Sequence, residues 1–245
     1  MTMGTITGMG IITGTTMTTE AGGALYRLMT WLSPSYPVGA FAYSQGLEGA
    51  VTLGHVHDRH SAGEFISESL DCGALWSDAV ILAASHKAAA AQDWPALKEI
   101  NGFARAFLLT AELKLESLSL GRAFLDTTAE AWPTSMLHRL RQGVLGEIAY
   151  PVAVASAAAG HGIALTQTLE ACLHAGVANL VSAAIRLVPL GQSEGQSIIA
   201  GLEGKIRAVA ERAMTTEIED LATASFAAEI SSMLHETQTT RLFRS

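Results

Sequence analysis

The sequence predicts an all-α fold, a single-domain bundle of about eight to ten helices with irregular connecting loops. Apolar residues recur at helical spacing along most of the chain. Helix-start signals such as Asp93-Trp94-Pro95 precede several of these stretches. No segment alternates polar and apolar residues between turn residues, as a β-strand would.

Composition limits the classes of function. At 245 residues the chain is long enough to bury one sizeable core. Only 16% of the residues are charged, against about 25% in typical soluble domains, so we expect an oligomer or complex to cover part of the surface. The net charge of -8 and the absence of basic runs argue against nucleic-acid binding. The two cysteines, Cys72 and Cys172, form no CxxC pair, which fits a reducing cytoplasm.

The chain divides into three regions. The first 19 residues carry no charge and lack the basic and apolar regions of a signal peptide, so residues 1–22 are predicted to be a flexible N-terminal extension. Residues 23–235 form the helical domain. Residues 236–245 are predicted to be a docking arm, because Arg and Phe are typical interface residues. A disordered tail is the alternative.

The first helix is expected to end at a loop rich in proline and small residues, Ser33–Glu48. Each of its two prolines biases the preceding residue toward extended backbone, and its glycines permit turns. We predict a packed structural set here and an exposed partner-binding set. The first comprises Pro34, Pro37, Gly39 and Phe41, and the second Tyr43, Ser44, Gln45 and Glu48. Ser44 is expected to cap the short helix that follows.

Capping patterns locate several later helices. Ser61, Ser193 and Thr216 each stand three residues before a Glu or Gln, which predicts a helix start at each. Gly73 is expected to break the first of these helices. A further helix is predicted from Ala96 to about Leu125.

Two neighbouring stretches are strongly apolar. Ile148–Leu169 contains no Asp, Glu, Lys or Arg and is long enough to raise a membrane span. Its polar residues and its many alanines favour a buried helix instead, so no membrane association is predicted. The next helix, Leu165–Leu187, is predicted to end at a structural turn at Pro189. Gly191 and Gln192, which follow, are candidate functional residues.

Few residues suggest chemistry. His55, His57 and His60 form a close-spaced set that could bind Ni²⁺ or Zn²⁺, although a solvated loop explains them more simply. Ser44 lacks the GxSxG pattern and the preceding strand of a hydrolase nucleophile. We find no acid–base pair and no cofactor fingerprint, so the residues predict a helical interaction protein that is not an enzyme and binds no cofactor.

Four separated motifs resemble the urease accessory protein F family (UreF). They occur in order between about Leu25 and Ser245. They are Ser33-Pro34 with Pro37–Glu48, Tyr150–Ala153, Asn179–Gln192, and Met233–Glu236 with Arg241–Ser245. The first 19 residues lie outside the resemblance.

The resemblance implies a cytoplasmic, dimeric, non-catalytic chaperone of urease maturation. It implies that the protein bridges accessory protein D, which contacts apo-urease, and accessory protein G, the GTPase that carries nickel. Nickel and GTP would then be handled by the complex and not bound as cofactors of this chain.

We predict that the loop and the C-terminal motifs bind partners. Besides the four loop residues, the set comprises Gly191, Gln192, His235, Glu236, Arg241, Leu242, Phe243, Arg244 and Ser245. No resident metal is predicted. The alternative function is a metallochaperone that binds nickel directly through His55, His57 and His60.

Overall fold

The computed structural model describes residues 16–108 and 110–245, and within them all regular structure is helical. The predicted all-α class is therefore confirmed. There are twelve α-helices in this part of the chain. They are α1 (Thr16–Trp31), α2 (Leu47–Thr52), α3 (Arg59–Cys72), α4 (Ala74–Ala90), α5 (Trp94–Phe107), α6 (Ala111–Ala131), α7 (Ser135–Arg141), α8 (Tyr150–Gly160), α9 (Leu165–Leu187), α10 (Gln192–Gly201), α11 (Glu203–Thr215) and α12 (Phe226–His235). Short 3-10 turns lie at Ala40–Ala42 and Ile218–Asp220.

Some helices begin or break where the sequence predicted and others do not. Asp93 caps α5 by accepting from Ala96 N at 3.0 Å, and Gly73 separates α3 from α4, both as predicted. The helix predicted over residues 96–125 is divided instead, because Thr110 starts a new helix by accepting from Leu113 N at 3.2 Å. The helix predicted from Ser193 is likewise divided at Leu202.

The capping pattern at Thr216 does not open a long helix, so that prediction is wrong. It starts only the 3-10 turn Ile218–Asp220. The chain then runs without helix to Phe226, held by a hydrogen bond from Ala224 N to Cys72 O at 3.1 Å. This tertiary contact outweighs the local capping signal.

Helix α8 lies at the centre of the bundle, packed by α4 and α6. Its residues from Pro151 to Ala158 are all buried, and half of them are alanine. A Cβ at Gly121 of α6 would lie 2.2 Å from Ile148 O, so the two backbones approach closely only because that position is glycine. The apolar stretch Ile148–Leu169 is therefore a core helix that ends at Gly160, followed by the start of α9.

Helix α9 is, among the described helices, the one long and apolar enough in composition to cross a membrane. Its residues Leu169, Leu173, Val177 and Leu180 are buried inside the bundle, where it packs against α4 and α11. A core helix meets the same length and composition test.

An aromatic cluster anchors the start of the Ser33–Glu48 loop. Trp31, only 1% exposed, meets Phe124 edge-on with ring centroids 6.0 Å apart. The Tyr36 hydroxyl forms a 2.8 Å hydrogen bond with the Thr128 hydroxyl on α6. The loop therefore leaves α1 from a rigid position.

The structure describes only part of the predicted N-terminal extension. Helix α1 begins at Thr16, so the boundary predicted at residue 22 falls inside a helix. Residues 1–15 lie outside the described residues, and their assignment stays a prediction.

Candidate functional site: the C-terminal segment and its carboxylates

Two glycines let α2 and α12 meet at backbone distance. A Cβ at Gly46 would lie 2.9 Å from Ala228 O, and one at Gly49 only 2.3 Å from Ser231 O. Gly46 also has a φ of 83°, in the left-handed region that favours glycine. This close crossing places His235, at the end of α12, beside Glu48 on α2.

The Glu48 carboxylate holds the C-terminal segment (residues 236–245) by accepting hydrogen bonds from the main chain of that segment. Its carboxylate accepts from Leu242 N at 2.7 Å and from Phe243 N at 2.8 Å. It also accepts from His235 Nε2 at 3.1 Å. Glu48 is only 6% exposed, so these three donors replace the water that its charge would otherwise require.

His235 is fully buried between two carboxylates. Its Nδ1 lies 2.7 Å from Glu112 Oε2, opposite the contact with Glu48. The imidazole therefore bridges the two carboxylates. Arg241 donates to the other oxygen of Glu112. These four side chains are named the carboxylate cluster (Glu48, Glu112, His235 and Arg241), in which two basic side chains lie against two buried carboxylates.

The end of the C-terminal segment joins the loop and α6. Ser245 O accepts from Ser44 N at 2.9 Å and from the Ser44 hydroxyl. The Ser245 hydroxyl donates to Glu116 Oε2 at 2.6 Å, and Gln45 Nε2 donates to Glu116 Oε1 at 3.3 Å. The segment is thus held along its length against its own chain, and its predicted role as a docking arm for a partner stays a prediction.

Arg186 on α9 lies over this assembly. Its guanidinium stacks on Phe41, 3.6 Å from the ring centroid, and on Phe243 at 4.1 Å. It also donates to Phe41 O at 3.1 Å. Nearby, Asn179 donates to Tyr43 O at 3.3 Å. The loop, α9 and the C-terminal segment are therefore one packed unit.

Burial changes the acidity of Glu116. Removal from water raises its pKa to about 7, although the hydrogen bonds from Ser245 and Gln45 oppose the shift. The nearby carboxylate of Glu112 raises it further. Glu116 thus changes charge close to neutral pH.

Helix α12 presents polar residues inward and apolar residues outward. Ser231, Ser232 and His235 are buried against α2, where the close crossing admits only small or hydrogen-bonded side chains. The outer face exposes four large apolar side chains. They are Phe226 (68% exposed), Ile230, Met233 and Leu234. This outer face, named the α12 face below, has no cover within the described chain.

The structure reverses the exposures predicted for the loop. The predicted exposed set is largely buried because the C-terminal segment lies over it, whereas the predicted packed set faces solvent. Tyr43, Ser44 and Glu48 are buried and Gln45 is half-buried, while Pro34, Pro37, Gly39 and Phe41 are exposed. Roles of these residues in partner binding stay predictions.

The predicted C-terminal residues divide by exposure. His235, Phe243 and Ser245 are buried, and Glu236, Arg241, Leu242 and Arg244 are exposed. Glu236 nevertheless accepts from Ala111 N at 2.8 Å, at the start of α6. Only the exposed members are free to meet a partner while the segment is docked.

The turn after α9 lies apart from the carboxylate cluster. Pro189, Gly191 and Gln192 are exposed, and Gly191 N donates to Glu194 Oε2 at 2.8 Å to start α10. No hydrogen bond joins these residues to the C-terminal segment in the described structure. Pro189 is therefore a surface turn, and a role for Gln192 stays a prediction.

Two of the three candidate metal-binding histidines make local side-chain contacts. His57 Nδ1 lies 3.3 Å from Gly54 O, and His60 pairs with Glu64 at 3.3 Å on the surface of α3. Within residues 16–108 and 110–245, no three His, Cys, Asp or Glu side chains are arranged to hold a metal ion. The alternative function of direct nickel binding draws no support from this arrangement.

Sequence reasoning missed three acidic residues of the site. Glu112 and Glu116 stand one turn apart on α6, a spacing common on solvated helices and therefore uninformative. Asp78 is the one charged residue among the apolar positions 74–86. That isolation is a signal for a buried acid, and it was available from the sequence.

The site consists of side-chain and main-chain hydrogen bonds that hold the C-terminal segment against α2, α6 and the loop. The UreF family model matches residues 56–203. A relative from Xanthobacter autotrophicus is 47% identical over 97% of this chain and 98% of its own. Others from Rhodopseudomonas palustris and Bradyrhizobium diazoefficiens are 46% and 44% identical, covering 94% and 91% of this chain and 94% and 92% of their own.

Each of these relatives is named urease accessory protein UreF. The chain belongs to the UreF family. Its members are accessory proteins of the chaperone type and not enzymes.

Proposed function

We propose that this chain is a cytoplasmic scaffold of urease maturation. It binds accessory protein D, which contacts apo-urease, and accessory protein G, the GTPase that carries nickel. The chain binds one nucleotide state of the GTPase more tightly than the other. This difference in affinity couples GTP turnover to nickel delivery. Family membership supports the role in urease maturation, and the two partners and the coupling are the proposal.

The α12 face carries this proposal. A helix in a monomer normally turns its apolar face inward, whereas α12 turns Ser231, Ser232 and His235 inward and leaves Phe226 and Ile230 in solvent. Exposed apolar surface of this kind marks a protein–protein interface. We assign the α12 face to accessory protein D.

The docked C-terminal segment supports a coupling role. His235 belongs to α12 and also to the carboxylate cluster that holds Leu242 and Phe243. A partner on the α12 face therefore contacts a helix whose position decides whether the segment stays docked. Exposed Arg241, Leu242 and Arg244 extend this surface.

A second exposed apolar face supports self-association. Leu25, Tyr26 and Met29 of α1 are 60% to 68% exposed, while Ala24, Leu28 and Trp31 on the opposite side are buried. We assign this α1 face to a homodimer interface. Mass photometry should show a dimer, and Tyr26→Asp should shift it to the monomer mass; a monomeric wild-type protein would refute the assignment.

Co-purification with cognate accessory proteins D and G, with and without GTP, tests the proposal. Ile230→Asp on the α12 face should reduce capture of protein D at least about tenfold, because a buried, unpaired charge is costly at an interface. Val144→Asp, at a partly exposed apolar position outside α12, is the matched control and should bind normally. Equal capture by both variants would refute the assignment of the α12 face.

Two further variants locate the partner surfaces. Deletion of residues 241–245 should weaken binding of protein D, since it removes the docked segment. Gln192→Ala should impair urease activation while leaving the helical circular dichroism spectrum unchanged. Full urease activation by Gln192→Ala would remove that residue from the partner surface.

A further inference from the structure

A cavity of about 430 Å³ lies inside the bundle, between α4, α6, α9 and the Ser33–Glu48 loop. Its walls are largely apolar and include Leu82, Leu120, Val154 and Leu173. This volume falls within the range of roughly 300–1,000 Å³ typical of small-molecule sites. The proposed partner surfaces do not use this space.

The cavity contains hydrogen-bonding groups without protein partners. Asp78 of α4 lines it, and the described structure gives its carboxyl group no hydrogen bond. The side-chain oxygen of Gln45, which also lines it, is buried with no hydrogen-bond partner. Only the Gln45 oxygen is fully buried, whereas the Asp78 carboxyl group is partly exposed where it lines the cavity. An unpaired carboxyl group that remains accessible from the cavity is the acceptor that a bound hydrogen-bond donor would meet.

The charge of the side chains that line the cavity indicates which kind of hydrogen-bond donor binds there. Three acidic residues, Asp78, Glu116 and Glu229, line the cavity, and no Lys or Arg does so among the described residues. Burial, together with the charge of Glu116, raises the pKa of Asp78 to about 7. A positive charge close to Asp78 would favour its ionised form and offset the cost of ionising this carboxyl group inside the bundle.

We propose that this cavity binds a small organic amine. Its protonated head donates to the Asp78 carboxylate, and its hydrocarbon body packs on the apolar walls. A metal ion fits less well, because the described side chains form no group of three metal ligands. The proposal is independent of the partner assignments made above.

Isothermal titration of the full chain at pH 7.5 tests this proposal. The probe is cyclohexylamine, which combines a cationic head with an apolar body. Three matched probes separate the contributions: cyclohexanol lacks the charge, cyclohexanecarboxylate reverses it, and methylamine lacks the body. Cyclohexylamine should bind at least about tenfold more tightly than each. Cyclohexanol and cyclohexanecarboxylate lose the charge-assisted hydrogen bond to Asp78, and methylamine loses the packing on the apolar walls.

Variants test the location of the site. Asp78→Asn should weaken cyclohexylamine binding about tenfold or more, whereas Asp220→Asn, which changes an exposed aspartate, should leave binding unchanged. Ala178→Leu, which fills part of the cavity, should abolish it. Circular dichroism confirms that each variant is folded. The site is supported when a folded variant binds cyclohexylamine as predicted for it.

Three results would overturn the proposal. The first is no binding of cyclohexylamine to the wild-type chain. The second is equal binding of cyclohexanol and cyclohexylamine, which would show an apolar cavity without a role for Asp78. The third is stoichiometric Ni²⁺ binding that Asp78→Asn abolishes and cyclohexylamine does not displace.

Discussion

The Glu48 carboxylate accepts from two main-chain N–H groups of the C-terminal segment and from His235. Glu48→Gln keeps the shape of this side chain but replaces one acceptor oxygen with a donor. We expect the segment to loosen, and the protein to lose about 1–3 kcal/mol of unfolding free energy. Hydrogen exchange should show faster exchange at Leu242 N and Phe243 N.

Glu99→Gln is the matched control for that substitution, because Glu99 is exposed on α5. It should leave both exchange rates and stability unchanged. Unchanged protection of Leu242 and Phe243 in Glu48→Gln would show that Glu48 does not hold the segment.

Sequence reasoning at the residue scale singled out residues that the structure brings together, but it expected the wrong exposures for several of them. Glu48, His235 and Phe243 were all singled out, and the structure brings them into contact. Their burial depends on contacts across as many as 195 positions of sequence. Local pattern contains no information about such contacts, so Phe41 was expected inside and Glu48 outside.

At the scale of elements, the crossing of α2 and α12 depends on one missing methyl group. In Gly49→Ala the new Cβ would lie 2.3 Å from Ser231 O, so α12 must move away. We expect a loss of about 1–3 kcal/mol of stability, together with weaker docking of the C-terminal segment. Urea denaturation and hydrogen exchange measure the two effects.

Gly63→Ala on α3 is the control for the same chemical change. Nothing lies within 4 Å of a Cβ at Gly63, so the alanine should stabilise the helix by roughly 0.5–1 kcal/mol. If Gly49→Ala were as stable as Gly63→Ala, the close crossing would not exist.

The helices differ in how well the sequence predicted them. Asp93 opens α5 as its capping pattern indicates, since the Asp93 side chain and the first turn lie in one short segment. The Thr216 pattern failed because Ala224 bonds to Cys72 on another helix. Helix α12 turns its large apolar side chains outward, an orientation that the sequence did not predict.

At the scale of the whole molecule, two acids lie inside the bundle, Glu116 buried and Asp78 half-buried beside the cavity, at a cost that varies with pH. The pKa values of Asp78 and Glu116 are raised to about 7, from 3.8 and 4.5. At pH values between the ordinary and the raised pKa of each acid, the folded chain binds more protons than the unfolded chain. The free energy of unfolding therefore falls as pH rises toward 7. The full penalty is present above pH 7 and is on the order of 2–4 kcal/mol per group.

Melting temperatures of the wild type and Asp78→Asn between pH 4 and 9 test this expectation. The two proteins should differ little near pH 4, and Asp78→Asn should be increasingly the more stable above pH 5. Asp220→Asn should run parallel to the wild type. A constant difference between wild type and Asp78→Asn across this range would show that Asp78 does not titrate within it.

The sequence by itself determined the helical class, most helix positions, the absence of an enzyme-like site and, through four separated motifs, the UreF family. These features follow from periodicity, capping and motif residues, which act within a few positions of each other. Only the tertiary structure decided that the C-terminal segment docks on Glu48, that Asp78 lines a cavity and that α12 turns its apolar face outward. Each of these features depends on which distant segments of the backbone come into contact. That contact determines which charged groups are buried and how they are paired.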